Sequence, residues 1–128
     1  MKNFNRTFGK LIVVSLFLLA ITACNNEPAV SFSQSVKPIL DAHCLDCHQP
    51  GGQGLAASGL DMTSYDNLMK GTRFGPMVIG GDVEGSNLLV LIEGRADPSI
   101  SMPHGQNKIV KEDIETIRLW IGQGAKNN

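Results

Sequence analysis

Aromatic side chains are scarce in this 128-residue chain, at 5% Phe, Tyr and Trp, and charged residues are sparse too, at 18%. The formal net charge of −1 excludes a strongly basic nucleic-acid binder, so no nucleic-acid partner is expected. No apolar run reaches the roughly 20 residues that a membrane-spanning helix needs. The most apolar stretch, Leu11–Ala23, has 13 residues and is interrupted by Ser15 and Thr22. The length leaves no room for two ordinary domains. What the chain does have is 42% hydrophobic residues, enough to exclude wholesale disorder. It also has 14 glycines and three cysteines, Cys24, Cys44 and Cys47.

Lys2, Arg6 and Lys10 precede the apolar stretch, which closes on small residues at Ala23. A basic start, a short apolar run and a small-residue end make an export signal, with a short uncut membrane anchor as the other reading. Ile21-Thr22-Ala23-Cys24 resembles the lipobox of bacterial lipoproteins, in which the Cys is acylated and becomes the mature N-terminus. The expected division is a removed signal at 1–23, a polar tether at 24–31 and one domain at 32–128. Removing the three basic residues leaves 8 Lys and Arg against 12 Asp and Glu, a mature charge of −4. Acyl chains on Cys24 would hold the domain at a membrane, each buried CH₂ contributing about 0.8 kcal/mol. The expected location is therefore the periplasmic or outer face of a bacterial membrane.

Cys44-Leu45-Asp46-Cys47-His48 is the CxxCH pattern of covalent c-type haem attachment. Two thiols two residues apart can reach the two vinyl groups on one edge of a porphyrin. The adjacent His48 can then swing beneath the ring and ligate iron. Chance produces such a pentapeptide in about one chain of this length per thousand. Export agrees with it independently, because c-type haem is attached outside the cytoplasm. One haem c is the expected cofactor. A largely apolar macrocycle would also supply interior that this aromatic-poor chain lacks, so the apo-protein should fold poorly.

Other uses of CxxC fit less well. A thioredoxin-like pair needs a βαβ context, and no strand–helix alternation surrounds Cys44. A structural zinc site pairs one Cys knuckle with a second Cys/His cluster. The remaining histidines, His43 and His104, complete no such set. A Cys44–Cys47 disulfide would leave His48 without a purpose.

The coarse pattern is helical, with long glycine-punctuated connections. Ser33 or Ser35 can cap a helix running to about Ala42, with Pro38 tolerated in its first turn. Gln49–Gly59, with Gly51, Gly52, Gly54 and Gly59, reads as a loop bending closely around something. Thr63 caps a short helix over Ser64–Met69, stopped by Gly71. Gly80-Gly81-Asp82 is a turn, and Ser86–Ile92 reads as a buried helix, or alternatively a strand. Arg95–Val110 is irregular. Lys111–Ile121 places Ile114, Ile117 and Ile121 on one face, with Glu112 and Asp113 at its N-terminal end.

Iron bound by His48 needs a sixth ligand, and Met102 of Ser101-Met102-Pro103 is the first candidate. Pro103 fixes the backbone beside it, and thioether sulfur suits low-spin iron in an electron carrier. Met62, Met69 and Met77 are the alternatives among methionines, and His104 the alternative among histidines. His43 is crowded against Cys44.

The mature chain resembles the small cytochrome c domain first described in planctomycete proteins, within the wider class I cytochrome c group. The matching blocks are Ser35–Leu40, the CxxCH, Gly59–Met62, Gly81-Asp82 with Ser86–Leu89, Met102-Pro103, Leu119–Ile121 and Gly124-Ala125. Two departures stand out: Val110 where a small capping residue precedes the last helix, and Val83 where a Pro follows Gly-Asp. The resemblance implies an all-α, cytochrome c-like fold of about four short helices with long Gly-rich loops around a covalent haem. It implies terminal helices that cross, thioethers at Cys44 and Cys47, and axial iron ligands at His48 and Met102. The function expected is one-electron transfer between redox protein partners. An electron-receiving subunit of a dehydrogenase complex is an alternative. So are a peroxidase-like enzyme if Met102 dissociates and, more remotely, a zinc or thiol-redox module. His48 is expected to donate Nδ1–H to a carbonyl within Gln49–Leu60. Arg73 is expected either to pair with a haem propionate or to lie solvated at the surface.

Overall fold

A computed structural model describes residues 27–128; the expected signal segment and Cys24 lie outside the described residues. Five α-helices make up the regular structure, and no strand occurs among the described residues. They are α1 (Lys37–His43), α2 (Gln53–Ser58), α3 (Tyr65–Lys70), α4 (Asn87–Ile92) and α5 (Lys111–Gly122). A π-helical turn, Phe32–Val36, leads directly into α1, and a 3₁₀ turn, Pro98–Ile100, interrupts the irregular stretch before α5. The count exceeds the expected four because Gln53–Ser58, expected as loop, is helical.

The π turn has a local cause. Pro38 has no N–H, and its ring crowds the carbonyl four residues back. The turn before it widens, so that Val36 N–H bonds Ser31 O at 3.3 Å and Lys37 N–H bonds Phe32 O. The cap is Ser31, whose hydroxyl accepts from Gln34 N–H at 3.2 Å, and not Ser33 or Ser35. A smaller shift, of one residue, applies to α3, where Ser64 and not Thr63 accepts the capping bond, from Asn67 N–H at 3.2 Å. Thr63 instead binds Asp61 through both its amide and its hydroxyl.

The core lies where the first and last helical segments meet. Phe32, Tyr65 and Trp120 form an aromatic cluster, with ring centroids 5.2 Å apart for Phe32–Tyr65 and 5.4 Å for Phe32–Trp120. Trp120 is fully buried and donates its indole N–H to Lys126 O at 2.9 Å. Ile117 and Ile121 are buried beside it and Ile114 is half-buried, as the i, i+3, i+7 spacing requires. Val110 caps α5 with no side-chain bond. Ser86, wholly buried, accepts from Ile79 N–H at 2.9 Å and donates to Asp82 O at 2.7 Å. It thereby fixes the Gly80–Asp82 turn to the start of α4, and the strand reading of Ser86–Ile92 is excluded.

The two ends of the described chain are tied together. Gln123 brackets the expected tether, accepting from Val30 N–H at 2.7 Å and donating to Pro28 O at 3.2 Å. Asn128 Oδ1 accepts from Phe32 N–H at 2.9 Å. On the surface, Arg118 of α5 and Arg95 bridge Glu93 and Glu84, joining α5 to the end of α4. Among the described residues, no helix is long and apolar enough to cross a membrane.

Candidate functional site

The CxxCH segment continues from α1 as one further helix-like turn. Cys44 O accepts from Cys47 N–H at 3.2 Å and from His48 N–H at 3.0 Å. Residues at i, i+3 and i+4 of such a turn share one face, so this winding gathers both thiols and the imidazole on one side. The two thiols are free and not joined to each other. Burial, then Cys47 and Asp41 nearby, push the Cys44 thiol up to about 11. A reactive redox pair needs the opposite shift, towards thiolate at neutral pH.

His48 is buried. Its Nδ1 lies 3.2 Å from Leu60 O, the last residue of the segment expected to supply the acceptor. A carbonyl can only accept, so Nδ1 carries a proton, and in the neutral imidazole Nε2 then keeps an in-plane lone pair. Among the described residues Nε2 has no hydrogen-bond partner, yet it is not sealed from solvent. That is the state required of an imidazole ligand to iron.

The glycine-rich segment after the motif is built for contact with it. A Cβ at Gly52 would sit 2.3 Å from Cys47 O, and one at Gly54 would sit 2.7 and 2.8 Å from Cε1 and Nε2 of His48. The expected close bend is therefore real, and what it bends around is the CxxCH turn itself. It includes a short helix because Leu55 N–H bonds Cys47 O at 3.0 Å and Gly59 ends α2 at φ 79°, a conformation suited to glycine. Ser58 Oγ donates to Gly54 O at 2.7 Å and accepts from Leu60 N–H at 3.1 Å. Met62 N–H closes the loop onto His48 O at 2.8 Å.

The remaining candidates fall into separate places. Met102 is half-buried against the same apolar core that Cys44 and Leu45 border. Its N–H bonds Leu91 O at 3.2 Å, which pins the segment after the 3₁₀ turn to the end of α4. Met62 and Met77 are buried core residues, and Met62 is committed to the His48 backbone. Met69 packs from α3. His104 is exposed, and His43 faces Asp113 at 3.7 Å. Arg73 donates to Ala56 O at 2.9 Å, close to the C-terminal end of α2. No group of three or more His, Cys, Asp or Glu side chains that could hold a metal ion forms among the described residues.

Two thiols and one unprotonated imidazole nitrogen on one turn, with no side chain at Gly54 to cover that nitrogen, fit a covalently attached haem. Leu60, Gly52 and Gly54 were not identifiable as individual contacts from the sequence. Leu60 acts through its main chain, and only the density of glycines hinted at the other two. Neither a curated protein nor a solved structure matches the chain. Residues 44–105 match the family model described as Planctomycete cytochrome C. That span runs from the first cysteine of the CxxCH to just beyond Met102, narrower than the resemblance in the sequence. The CxxCH turn and the glycine-rich α2 segment folded back onto it thus lie within the stretch of the chain that is similar to planctomycete cytochrome c.

Proposed function

We propose that the protein is a monohaem c-type cytochrome lipoprotein that carries single electrons between redox partners outside the cytoplasm. The observation that carries this reading is the pairing of the CxxCH turn with a His48 imidazole whose proton is committed to Leu60 O. Cys44 and Cys47 would hold haem c through thioethers, with His48 Nε2 and the Met102 thioether as axial ligands. Bound haem supplies reversible one-electron chemistry at iron.

The chain's own residues do the rest. The Leu60 carbonyl fixes the imidazole plane and raises its basicity. Gly54 keeps the nitrogen uncovered. The Leu91 bond restrains the backbone that presents Met102. Were both His48 and Met102 to hold the iron, no position would be left there for a substrate, which would suit a carrier of electrons. Acylation at Cys24 would keep it at a membrane, and the mature charge of −4 suits partners with basic docking faces.

The test is a pyridine haemochrome spectrum with intact mass on protein exported from a host competent in cytochrome maturation. One covalent haem is expected, together with the mass of an acylated Cys24. A colourless protein without a haem adduct refutes the cytochrome reading, and a missing acyl group refutes only the anchor. Met102→Ala should keep the haem and lose the far-red ferric band of a Met–iron bond. A ferric spectrum unchanged by that substitution removes Met102 from the assignment.

A further inference from the structure

Around His48, two groups of the chain touch or flank the imidazole: Leu60 O at Nδ1 and Gly54 beside the Cε1–Nε2 edge. They are six residues apart and belong to different local structures, one within α2 and the other beyond its end. A single hydroxyl joins them. Ser58 Oγ donates to Gly54 O at 2.7 Å and accepts from Leu60 N–H at 3.1 Å. Its own main chain is held in turn, because Ser58 O accepts from Arg73 N–H at 2.9 Å. A serine bonded back to the i−4 carbonyl is ordinary within a helix. Here both of its partners are the residues that locate the imidazole, and among the described residues no other side-chain hydroxyl bonds either of them.

The geometry points to Ser58 as a positioning residue for His48, setting the orientation and electron donation of the axial imidazole through Gly54 and Leu60. This rests on the proposed ligation by His48. Without the hydroxyl, Leu60 N–H loses its partner, and the Leu60 carbonyl is free to drift from Nδ1. A weaker Nδ1–H···O bond makes the imidazole a poorer donor to ferric iron, so the reduction potential moves upward.

The experiment compares haem-loaded wild-type protein with Ser58→Ala, Ser58→Thr and Ser64→Ala. Ser64→Ala removes the α3 cap, a loss of similar size that leaves the surroundings of His48 intact. Ser58→Ala should raise the reduction potential and change the spread of the paramagnetically shifted haem methyl resonances at unchanged haem content. Ser58→Thr should return both towards wild type, and Ser64→Ala should lower Tm while leaving both in place. Amide exchange in the wild-type protein supplies a second measure if Ser58→Ala does not fold: Leu60 N–H should be protected. A potential and methyl spread unmoved by Ser58→Ala, or an unprotected Leu60 amide, overturns the role of Ser58 and leaves the cytochrome reading standing. Wild-type protein without covalent haem overturns both.

Discussion

Gly54→Ala is a sharp test of how the glycine-rich segment serves the imidazole. Gly54 lies within α2, where Ala is ordinarily favoured over Gly by about 1 kcal/mol. Helix propensity alone therefore forecasts a more stable protein. The surroundings forecast the reverse. The new methyl would lie 2.7 Å from Cε1 and 2.8 Å from Nε2 of His48, and 2.9 Å from Cys47 O. Ordinary contact begins at 3.4 Å, so the ring must retreat by roughly 0.6 Å or the helix must lift away. Overpacking costs about 1–3 kcal/mol, and three contacts under 3.0 Å put this site in the upper part of that range, at about 2–3 kcal/mol. Steric cost exceeds propensity, leaving a net loss of about 1–2 kcal/mol and a Tm lower by about 5–10 °C for a domain of this size. Thermal unfolding of the haem-loaded protein, followed by far-UV circular dichroism and by the Soret band, measures it. The Soret band should also shift as His48 is displaced. Gly122→Ala in α5 is the control, since its methyl meets only Val83 Cγ2 at 3.4 Å, and it should hold or raise Tm. If Gly54→Ala matches wild type in Tm and spectrum, the close approach of α2 to His48 is not what governs the site.

Other consequences follow from the packing and the charges. Trp120→Phe removes a buried indole and its bond to Lys126 O; a loss of about 1.5–3 kcal/mol is expected in urea unfolding, and one within 0.5 kcal/mol would show the carboxy-terminal turn to be dispensable. The Thr63 hydroxyl, then its amide, hold the Asp61 carboxyl below its usual value of 3.8. The stability this confers is complete above that value and disappears as pH falls through the lower folded-state value. Asp61→Asn should therefore destabilise the protein at pH 7 and flatten acid unfolding below about pH 4; an acid limb identical to wild type contradicts the Asp61–Thr63 turn.

The parts of this protein that could be read from sequence are those where chemistry or periodicity acts through side chains. The CxxCH was legible because thioether spacing tolerates little variation. α5 was legible because Ile114, Ile117 and Ile121 repeat with the helical period and Gly122 and Gly124 follow. The pattern of residues 53–58 points to a loop because four nearby glycines outweigh Leu55-Ala56-Ala57. The helix exists through a tertiary bond, Leu55 N–H to Cys47 O, that no local pattern encodes. The caps fell one or more residues from their expected places, since Ser31, Ser33 and Ser35 are equivalent by composition and only the widened turn before Pro38 selects among them. The acceptor for His48 is a main-chain carbonyl, so no residue type marks it.

The solitary indole has a practical corollary. Trp120 sits where the opening turn, α3 and α5 converge, against Phe32 and Tyr65, and the chain contains no second fluorophore of its kind. Its emission is therefore an intrinsic gauge of whether three distant stretches of polypeptide have docked. Under the proposed loading, a porphyrin in so small a body would darken that emission by energy transfer. One cuvette could then distinguish a folded, pigment-bearing molecule from a folded but empty one, and either from a chain that never closed.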